Sequence, residues 1–144
     1  MTSDRTTAAD RYEVRAIGWV ESPLLDPSQA PRQGDERAPD AWLRFLPEVE
    51  EAIRDLHVGE EVILLTWLDR SRRDVLRTRP GDNPRSGPLG VFSTRSPDRP
   101  NPIGLHRVQI LAVEGLRILV SHLEALDATP VLDVKPVLDP RAER

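Results

Sequence analysis

Cysteine is absent from the 144 residues, which excludes a disulfide framework, thiolate zinc sites and cysteine nucleophiles. Histidine occurs only as His57, His106 and His122, too scattered to read as a zinc cluster, so no metal is expected. Lysine is almost missing: Lys135 stands alone among 20 basic residues, and the others are arginines. No stretch approaches the ~20 apolar residues of a membrane span, so no membrane partner is expected. The opening 1–11 is polar and has no apolar run of the signal-peptide kind. These absences point to a soluble, cytoplasmic protein. The length fits one domain, able to bury roughly two-thirds of the surface its unfolded chain exposes.

A net charge of −4 argues against a protein coated for nucleic-acid binding, but the average hides an asymmetry. Between Arg70 and Arg107 stand nine arginines (70, 72, 73, 77, 79, 85, 95, 99 and 107) against Asp74, Asp82 and Asp98, a balance of +6 that leaves −10 for the remainder. Such an island either meets phosphates or a carboxylate-bearing ligand, or is a solvated loop with scattered arginines.

Residues 1–11 read as a disordered tail and 12–140 as the domain. A short extended run ending at Ser22-Pro23 leads into a long loop over 26–40 with Pro27, Pro31, Gly34 and Pro39. Residues 41–46 alternate as a strand. From 48 to 56, Val49, Ala52, Ile53 and Leu56 fall on one helical face, with Pro47 suited to the first helical position and Gly59 to the stop. The apolar run 61–68 predicts a central strand buried on both faces. Runs 107–114 and 116–124 flank Glu114-Gly115 and predict an antiparallel hairpin. Shorter strands are expected over 89–93 and 131–137. The sum is a mainly β, single-domain sandwich or barrel with one short helix. Trp19, Trp42 and Trp67 sit among aliphatic residues and read as core, the alternative being a stacking platform for bases.

The stretch 90–104, GVFSTRSPDRPNPIG, excludes a helix, because Pro97, Pro100 and Pro102 fix φ and remove donors. Residues 96–103 are therefore expected to form a stiff, irregular loop. Stiffness serves either a connector or a ligand site whose polar groups are held ready.

The runs PRQG (31–34), GVFSTRSPDRPNPIGL (90–105) and LDATPVLDVKP (126–136) closely resemble the TsaA-like family, and the similarity spans 14–138. The resemblance implies a single-domain β-barrel methyltransferase that uses S-adenosyl-L-methionine, forms a homodimer, and holds the donor in a cleft near the subunit boundary. By that similarity Gln33, Gly34, Arg95, Leu105, Asp127, Ala128, Thr129 and Pro130 line the donor pocket, and Leu68 and Asp69 align with a further contact region. Arg95 suits the donor carboxylate, since guanidinium binds carboxylate in a bidentate fork. Asp127 can accept from the ammonium or the ribose. Asp133 and Lys135 are the candidates for acid/base or orienting work, the alternative being a structural ion pair, because residues two apart on a strand share a face. Three positions depart from the pattern: Asp69 replaces a common histidine, Ala128 a frequent glycine, and His106 a frequent serine. His106 is then an acceptor-side contact or a surface histidine.

The resemblance further implies N-methylation of the threonylcarbamoyl-modified adenosine next to the tRNA anticodon, with tRNA as partner. Alternatives are a small-molecule acceptor at the same donor site, or a non-catalytic binder of S-adenosylmethionine or RNA, because fold and cofactor do not fix the substrate.

Overall fold

A computed structural model describes residues 10–26, 28, 38–79 and 87–138. Residues 1–9 of the tail expected over 1–11, most of the 26–40 loop, and Gln33, Gly34 and Arg85 lie outside the described residues.

Six antiparallel strands close into a barrel in the order β1 (Gly18–Glu21), β2 (Ala41–Phe45), β7 (Arg117–Val120), β6 (Ile103–Glu114), β3 (Glu61–Trp67) and β8 (Pro130–Pro136), with β8 returning to β1. A two-stranded ribbon, β4 (Arg77–Thr78) with β5 (Leu89–Gly90), stands apart. The fold is the mainly β barrel expected. No helix among the described residues is long and apolar enough to cross a membrane.

Period-two alternation decides which side chains enter the barrel. From β3 Val62, Leu64 and Thr66 point inward, and from β6 Gly104, His106, Val108 and Ile110 do so. Val20, Leu43, Phe45, Ile118, Val120, Leu123 and Val131 complete one core. Each fully buried Leu or Val contributes about 1.5–3 kcal/mol relative to exposure. The β6–β7 hairpin turns at Gly115-Leu116, one residue later than expected, with Gly115 at φ 62. A two-residue turn matched to strand twist requires positive φ there.

Several expectations are corrected. The helix is shorter: Pro47–Val49 is a 3-10 turn, and α1 covers Glu50–Ile53. Val49 at φ −107, ψ 14 interrupts the α geometry between them. Of the strand expected over 89–93 only Leu89–Gly90 forms, followed by a 3-10 turn at Val91–Ser93. β3 is not buried on both faces: Ile63, Leu65 and Trp67 point outward and are half-buried. The tryptophans are not core either. Each takes the outward parity of its strand; Trp19 is 39% exposed, and Trp42 and Trp67 are half-buried. Arg117 covers the Trp42 ring at 4.3 Å and Arg73 the Trp67 ring at 5.2 Å, so cation–π contacts replace core packing.

Candidate functional site

The proline-rich loop leaves β5 through the 91–93 turn and enters β6 at Ile103. Its prolines limit the backbone, and arginines fasten what freedom remains. Arg99 donates to the carbonyls of Thr94 (3.1 Å), Ser96 (3.0 Å) and Val91 (3.0 Å). Arg73 donates to the Pro100 carbonyl at 2.7 Å and to Asn101 Oδ1 at 2.9 Å. The Arg72 amide donates to Asp98 Oδ1 at 2.8 Å, and the Arg99 amide to the Arg72 carbonyl at 3.0 Å. Arg95 is different: exposed, it makes no hydrogen bond or ion pair with any described residue.

This changes the meaning of the basic island. Arg70 donates to the Leu25 carbonyl, Arg77 to the Pro88 carbonyl, Arg72 to Asp74 and Arg107 to Glu61. The Arg72 guanidinium holds the Asp74 carboxyl below its ordinary range, chiefly through that hydrogen bond, and Arg107 does the same to Glu61. Much of the positive charge is thus spent fastening the chain to itself.

Below the loop, the outer face of β6, β3 and β8 gathers a second group. Leu65 is flanked in register by Leu105 and Asp133, Ile63 by Arg107 and Lys135, and Trp67 by Ile103. Strands lie about 4.8 Å apart, so Leu105 and Asp133 face outward within about 10 Å of each other. Lys135 Nζ lies 3.0 Å from Asp133 Oδ2, and Asp133 Oδ1 accepts from the Val134 amide at 2.9 Å. At the end of β3, the Leu68 amide donates to the Pro102 carbonyl at 2.8 Å, and Asp69 is exposed. Ile103 and Leu105 stand 46% and 48% exposed, beside the half-buried Ile63, Leu65 and Trp67. The result is an apolar strip rimmed by Arg107, Lys135 and Asp133.

The third motif sits where β8 begins. Asp127 Oδ1 accepts from the Ser22 amide at 3.0 Å, and the Asp127 amide donates to the Leu24 carbonyl at 2.7 Å. One oxygen of this carboxylate therefore ties the exit of β1. Ala128 takes φ 67 while its amide donates to the Val20 carbonyl at 2.7 Å. Thr129 is buried, and Pro130 lies opposite Trp19. Asp127 and Ala128 line an open depression of about 430 Å³ with Trp19, Glu21 and Arg44. Another, of about 400 Å³, runs between α1 and β8 and includes Asp133. Neither contains Arg95 or Leu105. Asp127 and Ala128 thus line a different surface from the outer β6–β3–β8 face that carries Leu105, and neither depression gathers the described donor candidates of a single chain into one cavity.

His106 is neither a surface nor an acceptor-side group: it is buried inside the barrel. Its Nε2 lies 2.7 Å from Thr66 Oγ1 and its Nδ1 2.5 Å from Glu124 Oε1. A carboxylate can only accept, so it accepts a hydrogen bond from Nδ1–H. Parity was the available signal, since His106 shares its side of β6 with Val108 and Ile110. Among the described residues no group of three or more His, Asp or Glu side chains is placed to hold a metal ion.

The family model of the tRNA-methyltransferase O N-terminal domain matches residues 19–140. The chain belongs to that family. Two Archaeoglobus fulgidus relatives are each 41% identical. One, a probable S-adenosyl-L-methionine-binding protein, aligns over 86% of this chain and 33% of its own length. The other, an S-adenosyl-L-methionine-binding protein, aligns over 85% and 86%. The crystal structure of TrmO from Pseudomonas aeruginosa shares 32% identity and a TM-score of 0.73, covering 93% of this chain and 59% of that one. The chain thus spans a third of the first relative and about six-tenths of that TrmO chain. Membership in this methyltransferase family accounts for the barrel and for the three motifs that suggested it.

Proposed function

We propose that this protein is an S-adenosyl-L-methionine-dependent N-methyltransferase, and that Arg95 is the observation that carries the reading. An exposed guanidinium without a described partner, on a loop that Arg99, Arg72 and Arg73 fasten in place, is ready for a carboxylate at little ordering cost. The donor's parts match the remaining candidates in chemistry. Arg95 would take its carboxylate, the outward Leu105 and the half-buried Leu68 its adenine or methyl-bearing side, and Asp127 its ammonium or ribose. Ala128, Thr129 and Pro130 shape the edge, with Asp69, Gln33 and Gly34 as further donor contacts. S-adenosylmethionine supplies an electrophilic methyl on a sulfonium, so the protein's own work is positioning and managing the proton the acceptor nitrogen loses. Asp133 and Lys135, polar groups on the same outer face as Leu105, are the candidates to orient the acceptor or accept that proton.

The reading includes a homodimer. The β6–β3–β8 face carries an apolar strip, and the described donor candidates enclose no cavity in one chain; a second copy laid on the strip would cover it and bring further residues to Leu105. The acceptor in this reading is the threonylcarbamoyl-modified adenosine next to the anticodon of tRNA, methylated in the cytoplasm. A small-molecule acceptor is the second reading, favoured by the arginines already committed to carbonyls and carboxylates.

Calorimetric titration with S-adenosylmethionine, followed by transfer of labelled methyl to total tRNA from a strain lacking the gene, tests all of this. Donor binding with label in tRNA is the expected result. Binding without label moves the search to small acceptors, and no binding overturns the donor site.

A further inference from the structure

The geometry points to His106 as a positioning residue that fastens three donor-site segments to one another from inside the barrel. The inference rests on the donor reading above and adds to it a residue that does not itself touch the donor.

Each neighbour of His106 leads to a different part of the site. Thr66 lies on β3 two residues before Leu68 and three before Asp69. His106 itself follows Leu105 on β6. Glu124 lies in the segment between β7 and β8, three residues before Asp127. One imidazole therefore connects the end of β3, the start of β6 and the third motif through bonds of 2.7 Å and 2.5 Å.

The arrangement is built, and the building is legible. In register His106 stands opposite Leu64, not Thr66; the residue opposite Thr66 is Gly104. A Cβ on Gly104 would lie 2.4 Å from Thr66 Oγ1 and 2.7 Å from His106 Nε2. Glycine at that position lets the ring lean along the strand into the space a side chain would fill. Glu124 is brought to the ring by its neighbours, because Leu123 and Ala125 are both buried in the core. Its carboxylate, 19% exposed, accepts from Nδ1–H and orients the ring so that Nε2 meets the Thr66 hydroxyl. A polar chain at this depth is costly when half-satisfied, so its members hold their positions together. An apolar residue at 106 would pack but would tie nothing, and the Glu124 carboxylate would lose its partner.

The test compares His106→Leu, His106→Asn and Glu124→Gln with the wild type. Asparagine can still offer an amide N–H near the Nδ1 position, and glutamine at 124 still offers an oxygen to Nδ1–H. Ile110→Val serves as a core variant that lowers Tm without touching the chain of bonds. His106→Leu is expected to weaken S-adenosylmethionine binding about tenfold, the effect of a misplaced positioning shell. His106→Asn and Glu124→Gln are expected to recover most of that loss, and Ile110→Val to leave affinity unchanged. Wild-type affinity in His106→Leu, or the same loss in Ile110→Val, overturns the proposal. Amide hydrogen exchange of the free proteins separates this from failure of the donor reading. His106→Leu should speed exchange at Leu68, Asp127 and Ala128, whose amides bond to Pro102, Leu24 and Val20. If the wild type binds no donor, faster exchange confined to those amides still supports the tie, and unchanged exchange rejects it.

Discussion

Arg99 Nη2 donates to the carbonyl of Val91, 3.0 Å away and eight residues back, so the proline-rich loop is closed on itself by a side chain from within it. Arg95, four residues earlier, faces solvent with no described partner. The two arginines should therefore fail differently. Arg99→Ala removes three hydrogen bonds to carbonyls and is expected to cost about 2 kcal/mol of stability. Arg95→Ala is expected to stay within about 0.5 kcal/mol of wild type and to weaken S-adenosylmethionine binding about tenfold or more. Urea unfolding and calorimetric titration of both variants check the pair; unchanged donor affinity in Arg95→Ala removes its assignment.

Ala128 occupies φ 67, a region that costs a residue with a Cβ about 1 kcal/mol and glycine almost nothing. Ala128→Gly is accordingly expected to raise Tm by about 3 °C. Differential scanning calorimetry decides it. A lowered Tm would mean that backbone freedom in the unfolded chain outweighs the relief of strain.

Ile103 stands 46% exposed beside Trp67 on the outer apolar strip. If a second copy covers that strip, Ile103→Asp buries an unpaired charge at the contact and should turn a dimer into a monomer at micromolar concentration, with unchanged circular dichroism. Sedimentation velocity reads this directly. A wild type that sediments as a monomer would remove the dimer from the reading.

Glu61 accepts from Arg107 Nη2 at 2.9 Å, and its carboxyl is held below the ordinary range mainly by that bond. The folded form thus binds the proton less readily than the unfolded chain. The pair's contribution is present above the unfolded value, about 4.3, and fades as pH falls through the lower folded one. Wild-type Tm should therefore fall more steeply than that of Glu61→Gln between about pH 5 and about pH 3. The difference should shrink with added salt, because the pair is exposed. Parallel curves would show that the pair adds nothing to stability.

Much of the fold was legible because alternation and turn chemistry are local. The strand over 41–46 became β2, the apolar run over 61–68 became β3, and the hairpin formed one residue from its expected turn. The helix was overestimated, since four apolar residues at helical spacing say nothing of whether Val49 will keep α geometry. The tryptophans misled for a related reason: aliphatic neighbours on both sides do not reveal which parity faces inward. Thr66, not Trp67, took the inside of the barrel. The basic island was visible as charge, but its use as loop fastening depended on carbonyls and carboxylates distant in sequence, such as Pro100 for Arg73 and Leu25 for Arg70.

By itself the sequence determined the stiff loop of prolines, the alternating strands and the three motifs, because each is written in consecutive residues whose φ angles, donors and spacing are chemically fixed. Tertiary structure decided what no local pattern contains: that Leu105 and Asp133 share the outer face on either side of Leu65, that Arg95 has no partner among the described residues where Arg99 is bound, and that His106 joins Thr66 to Glu124 inside the barrel. Those relations depend on register and closure. A shift of one residue in β6 would turn His106 outward and leave Glu124 without its partner.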